Sequence, residues 1–221
     1  MADNPIARRA KVNLPTVILT MLSIVQALAL ELMWSHLSAQ PYLYDWTFAA
    51  FLGWTQIATN LLGILLIWLI YSSLVMRFAW VPTTTDSVFP FFVGIVEFAQ
   101  INLLGLNQIG PWFMVMSGLF AAMVWISQVS MKRARLDEDN HDYFRTVRPA
   151  TSRDLVFAMI PVAFLFCLGA LLWITQNQGW FALIAIFITM GLLGYQLRMN
   201  HVFTMRSYQS TPEVVEQNLA S

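Results

Sequence analysis

The chain has 221 residues, 58% of them hydrophobic and only 11% charged, with a mean hydropathy of +0.62. An ordinary soluble domain is about 45–50% apolar and about 25% charged, so soluble domains are excluded and a polytopic membrane protein is indicated. Twelve basic residues balance twelve acidic ones, so bulk charge gives no reason to expect nucleic acid, and the single cysteine, Cys167, excludes a disulfide framework or a cysteine-rich metal site.

A short basic segment, residues 1–13, precedes the first apolar run. Six runs of about 18 or more residues follow: Leu14–His36, Thr47–Val75, Val88–Leu106, Pro111–Ser130, Leu155–Thr175 and Trp180–Leu197. They are continuously apolar, without the alternation of a lipid-facing strand, so they predict helices rather than a barrel. The first exceeds a secretory apolar region of about 7–15 residues and no convincing cleavage site follows it, so it is expected to be an uncleaved span. The expected fold is all-α: a six-helix transmembrane domain over residues 14–197 with an inner loop at 131–154, flanked by segments 1–13 and 198–221.

Lysine and arginine orient this map. Arg8, Arg9 and Lys11 precede span 1 and Arg77 follows span 2. Lys132, Arg133, Arg135, Arg145, Arg148 and Arg153 lie between spans 4 and 5, and Arg198 and Arg206 follow span 6. All fall on one side, which the positive-inside rule makes cytoplasmic, with both termini there. The outer side is reduced to Leu37–Trp46 and the turns Asn107–Gly110 and Gln176–Gly179. Trp34, Trp46, Trp112, Trp173 and Trp180 gather at that boundary, where interfacial anchors sit. The expected location is the plasma membrane.

The two tight outer turns resemble each other: Asn107-Gln-Ile-Gly-Pro-Trp-Phe and Asn177-Gln-Gly-Trp-Phe, with Pro90 and Pro161 at matching distances upstream. Spans 3–4 and 5–6 could be duplicated hairpins, with spans 1–2 a diverged third; shared turn chemistry under an aromatic belt gives the same pattern.

The few polar residues inside spans carry most information. Glu97 is the midpoint of span 3, with Gln100 one turn outward on the same face. Asn60 lies near the middle of span 2, with Gln56 one turn outward, flanked by Gly53 and Gly63. Gln26 is near mid-membrane in span 1, and Glu31 lies about 9 Å outward of the span centre. Antiparallel spans 2 and 3 are expected to be neighbours, the two glycines admitting span 3 closely, so that Gln56 and Asn60 meet Gln100 and Glu97 at matching depths. A carboxyl at a span centre costs about 2.5–3.5 kcal/mol on insertion scales, and no intramembrane cation is present to pair with it. Amide partners can hydrogen-bond the carboxyl group but do not neutralise it, so desolvation favours the protonated, hydrogen-bond-donating form. Such a group serves as interhelical glue, as a stop on a proton or cation path, or as part of a ligand or lipid-headgroup site.

Several chemistries are missing. Lys11 and Lys132 lie outside the spans, as do or nearly do His36, His141 and His201, which removes a buried Schiff-base lysine and a haem ligand pair. There is no GxSxG, HExxH, P-loop or paired CxxC motif, so no cofactor or metal is expected. The acidic run from Asp137 lacks the glycine and glutamate of a calcium loop and reads as a solvated connector. In the tail, Thr211 and Pro212 suit the start of a short helix. The expectation is a non-enzymatic membrane module, an accessory, assembly or scaffold protein, whose partners are the lipid bilayer and other membrane subunits or copies of itself. The competing expectation is a small oligomeric channel or transporter for protons or cations built on Glu97.

Overall fold

The computed structural model describes residues 5–176 and 179–209. Among these residues every regular element is helical: α1 (Pro5–Ser38), α2 (Phe48–Arg77), α3 (Thr84–Asn102), α4 (Ile109–Leu136), the short α5 (His141–Thr146), α6 (Ser152–Thr175) and α7 (Trp180–Gln209). Single 3-10 turns occupy Pro41–Tyr44, Leu106–Gln108 and Glu138–Asn140. The tail positions Thr211 and Pro212, and Asn177 and Gln178 of the second outer turn, lie outside the described residues.

Five helices are long and apolar enough to cross a membrane: Pro5–Ser38, Phe48–Arg77, Leu106–Leu136, Ser152–Thr175 and Trp180–Met205. The chain is therefore a multi-pass, membrane-embedded helical protein. The expected third span corresponds to α3, whose 19 residues measure about 28 Å. Its apolarity is diluted by Asp86, Glu97, Gln100 and Asn102.

Polar residues cap three of the helices, and α3 and α6 begin ahead of their apolar runs at these caps. Thr47 accepts a hydrogen bond from the Ala50 amide at the head of α2. Thr83 with Asp86, and Thr151 with Asp154, form capping boxes on α3 and α6. α1 carries its basic residues on its first helical turns and α4 on its last: α1, at 34 residues, is about 51 Å long and overshoots a hydrocarbon core of about 30 Å.

Each long helix packs mainly on two others, and these contacts close a ring in the order α1, α2, α7, α6, α4, α3. In α2 and α7, Phe48 lies 5.0 Å from Trp180 and Arg77 sits 4.7 Å over Phe203, so the two run parallel. The α4–α6 seam is antiparallel and the tightest. A Cβ on Gly110 would lie 2.6 Å from the Trp173 backbone nitrogen, and one on Gly169 would lie 2.8 Å from the Gly110 carbonyl oxygen. Backbones approach this closely only where side chains are absent.

The expected contact between spans 2 and 3 is not what forms. α3 packs instead on α1 and α4, because Gly94 accepts the Val25 side chain of α1 against its backbone. Gly53 faces Leu43 and Tyr42 of the 3-10 turn, and Gly63 has nothing within 4 Å of a would-be Cβ. The glycines that admit a neighbouring helix are therefore Gly94, Gly110 and Gly169.

The connector after α4 is folded onto the bundle rather than solvated throughout. Asn140 donates to the Ala134 carbonyl at 2.7 Å and accepts from the Ala79 amide at 3.0 Å. Lys11 of α1 pairs with Asp137 at 2.7 Å and Asp139 at 2.8 Å. Phe78 stacks on Phe144, and the Arg135 guanidinium sits 4.5 Å over the same Phe144 ring. Lys11, Arg77, Arg133 and Arg135 thus share one end of the bundle with the α2–α3 and α4–α5 connections.

Candidate functional site

Five of the six expected site residues converge inside the ring. Gln26, Gln56, Asn60, Glu97 and Gln100 are all buried. Glu31 does not join them: it is exposed on the outer flank of α1, with no partner among the described residues.

The convergence is built from helical spacing. Glu97 and Gln100 occupy the face of α3 that also buries Val93 and Gly94 against α1. Gln26 follows Val25 on α1, so the contact that seats Gly94 also delivers the Gln26 amide to Glu97. The Gln26 Nε2 donates to Glu97 Oε1 at 2.8 Å. Glu97 Oε2 has no partner and is shielded from the exterior.

Gln56 and Asn60 make different bonds. Gln56 Oε1 accepts from the Gly105 amide at 3.0 Å, just beyond α3. Gly105 has φ of +137°, a conformation that glycine permits and that aims this amide inward. Gln56 Nε2 is left without a partner. Asn60 Oδ1 accepts a long bond, 3.4 Å, from the Trp112 indole of α4, and its Nδ2 lies 3.9 Å from the Met33 sulfur of α1. The polar residues therefore stitch α1 to α3, α2 to the exit of α3, and α2 to both α4 and α1.

Glu97, Gln100, Asn60 and Gly63 share the wall of one small cavity with Met116 and Phe120. Its volume for water-sized spheres is about 10 Å³, at the lower limit for a single water. Glu97 and Asn60 face each other across this gap rather than bonding directly. Among the described residues no group of three or more His, Cys, Asp or Glu side chains could hold a metal ion. The chemistry on offer is one carboxyl group and several amides: hydrogen bonding and proton exchange, with no nucleophile beside them.

Besides Glu31, sequence reasoning misplaced Trp112 and missed Asp86. Trp112, expected as an interfacial anchor, is wholly buried because the close α4–α6 seam turns the first turn of α4 inward. Trp34, Trp46, Trp173 and Trp180 remain exposed at that end. The missed residue is Asp86, 1% exposed, which binds Arg133 at 2.7 Å and caps α3 through Thr83. The Thr83-x-x-Asp86 spacing carried the signal, but it fell ahead of the apolar run.

No family model matches the chain, and neither a curated protein nor a solved structure matches it.

Proposed function

We propose that the protein is a non-enzymatic membrane module, an accessory, assembly or scaffold component that acts by association within the bilayer of the plasma membrane. One observation carries this reading: the only carboxyl group buried among the five converging residues is tied to Gln26 beside a gap of about one water. A permeation path needs continuous room and successive sites, whereas interhelical hydrogen bonds need only contact. Glu31 supports the same reading from outside. A carboxyl group on an outward face at hydrocarbon depth is costly alone and is relieved by a polar group on a partner helix.

The topology that goes with it has six spans, α3 included, and places the Lys11–Arg77–Arg133 end in the cytoplasm. Both ends of the chain then lie inside.

The second reading, a proton or cation conductor using Glu97, is favoured by the unpartnered Glu97 Oε2 and Gln56 Nε2. Accessibility separates the two. A cysteine placed at Gly63, in a Cys167→Ala background, faces the gap. In the folded protein it is expected to resist a membrane-impermeant maleimide and to react only after denaturation. Rapid labelling of the folded protein would overturn the module reading and favour conduction.

A further inference from the structure

Charge is divided unevenly along the bundle. Every lysine and arginine lies toward the end that holds Lys11, Arg77 and Arg133. Toward the opposite end the described chain carries three carboxyl groups, Glu31, Asp45 and Glu97, and no lysine or arginine. Glu97 is buried and bonded to Gln26, whereas Glu31 and Asp45 are exposed. Glu31 also belongs to a distinct face of α1. At about 100° per residue, Thr20, Ser23, Ala27 and Glu31 form one stripe, turned away from the buried Leu22 and Ala29, and all four are exposed. Ser23 and Ala27 are small, and with Leu19, Thr20 and Ile24 they line a shallow groove along the helix. The Thr20 hydroxyl donates to the Thr16 carbonyl at 2.7 Å. Glu31 forms no hydrogen bond or ion pair among the described residues, and Lys11, the nearest cation along α1, is 20 residues or about 30 Å away.

We propose that this face of α1 docks a transmembrane helix of a different chain, one that carries a lysine or arginine at the depth of Glu31. The proposal rests on the module reading and names the chemistry of its partner. Charge complementarity selects the occupant, because a carboxyl group held away from water is relieved most by an opposite charge. A second copy of this chain does not supply one. Packed on the same face about a two-fold axis, it sets Glu31 against Glu31, and its own lysines and arginines stay at the other end. A wholly apolar helix fills the groove at Ser23 and Ala27 but leaves the carboxyl group unpaired. In the topology proposed above, a basic residue at this depth lies away from the cytoplasmic side where such residues concentrate. Few spanning helices carry one there, so the pairing discriminates among partners.

The test reconstitutes the full chain in phosphatidylcholine vesicles with a synthetic leucine–alanine spanning peptide that carries one lysine about one turn inside one end. Control peptides carry leucine or glutamate at that position. A donor dye on Cys167, the single cysteine and an exposed one, and an acceptor on the peptide report association by energy transfer. The lysine peptide is expected to bind the wild-type chain about tenfold more tightly than either control, and to lose that preference in Glu31→Gln. Ala27→Phe, which fills the groove and leaves the carboxyl group in place, should weaken the lysine peptide about tenfold. Both positions are exposed, so thermal midpoints close to wild type are expected and confirm folding. Equal binding of the lysine and leucine peptides by the wild type, or a lysine preference that survives in Glu31→Gln, would overturn the proposal. A wild-type dimer that depends on Glu31 and forms with no peptide present would also overturn it, giving the face to a second copy. The cysteine at Gly63 tests the module reading without involving Glu31, so the two can fail separately.

Discussion

Gln26 of α1 donates a 2.8 Å hydrogen bond to Glu97 of α3, and this bond joins two parallel helices at their most buried polar point. It rests on the packing of Val25 into Gly94 immediately beside it. The bond and the helix contact should therefore stand or fall together.

Removing either partner tests that coupling. Glu97→Ala leaves the Gln26 amide buried without an acceptor and should destabilise by about 1–3 kcal/mol. Glu97→Gln retains an acceptor and should cost less. A double-mutant cycle of Gln26→Ala with Glu97→Ala, read from reversible unfolding in mixed micelles, should give a coupling near the average for membrane helices, about 0.6 kcal/mol. A coupling of zero would mean that the bond does not form.

Two glycine environments predict opposite outcomes. Gly110→Ala drives a methyl group into the Trp173 backbone, which cannot move aside as a side chain can. It should destabilise by about 1–3 kcal/mol through overpacking. Gly63→Ala meets nothing within 4 Å and should be neutral or slightly stabilising. Thermal midpoints of the two variants in one detergent make the comparison; equal losses would contradict the seam.

At the basic end, Asp86 holds both the cap of α3 and the Arg133 guanidinium. Asp86→Ala should therefore cost more than Arg133→Gln, since only the former also uncaps the helix, worth about 1 kcal/mol. Unfolding of both variants, and of the pair combined, measures the difference. A larger loss for Arg133→Gln would show that the cap contributes little.

Glu31 is predicted to matter for association and not for folding. Glu31→Leu should leave the thermal midpoint of the isolated chain nearly unchanged, since the side chain is exposed and forms no hydrogen bond or ion pair among the described residues. In mild detergent extracts run on native gels, the wild-type protein should migrate in a larger complex than Glu31→Leu does. Identical migration would remove Glu31 from any partner surface.

Reporter fusions test the topology. Reporters after Arg77, between Arg145 and Arg148, and at the C-terminus should read as cytoplasmic, and one at Ser38 as external. An external signal from the Arg145–Arg148 connection would mean that α3 does not cross.

The sequence made the helical, membrane-embedded class legible because continuous apolar runs of spanning length have few other solutions. It also made the inward-facing amides legible, since a polar group that avoids lipid has little choice but the bundle interior. The partners of those amides were not legible. Gln56, Asn60 and Glu97 lie at matching depths, but depth does not fix the order of helices around a ring. That order follows from where neighbouring helices approach a glycine, by the Val25 side chain at Gly94 and by backbone at Gly110 and Gly169, and sequence spacing had favoured Gly53 and Gly63 instead. Glu31 was grouped with the site from its depth along span 1, although its rotation around α1, five residues from Gln26, carries it to another flank.

The most direct test of the closed interior is ion flux in proteoliposomes made with the full chain. With pH-sensitive and cation-sensitive dyes across a range of pH and of monovalent cations, wild-type vesicles are predicted to leak no faster than empty liposomes, and Glu97→Gln vesicles to be indistinguishable from both. A wild-type flux above the empty control that disappears in folded Glu97→Gln would contradict the account and assign Glu97 to conduction.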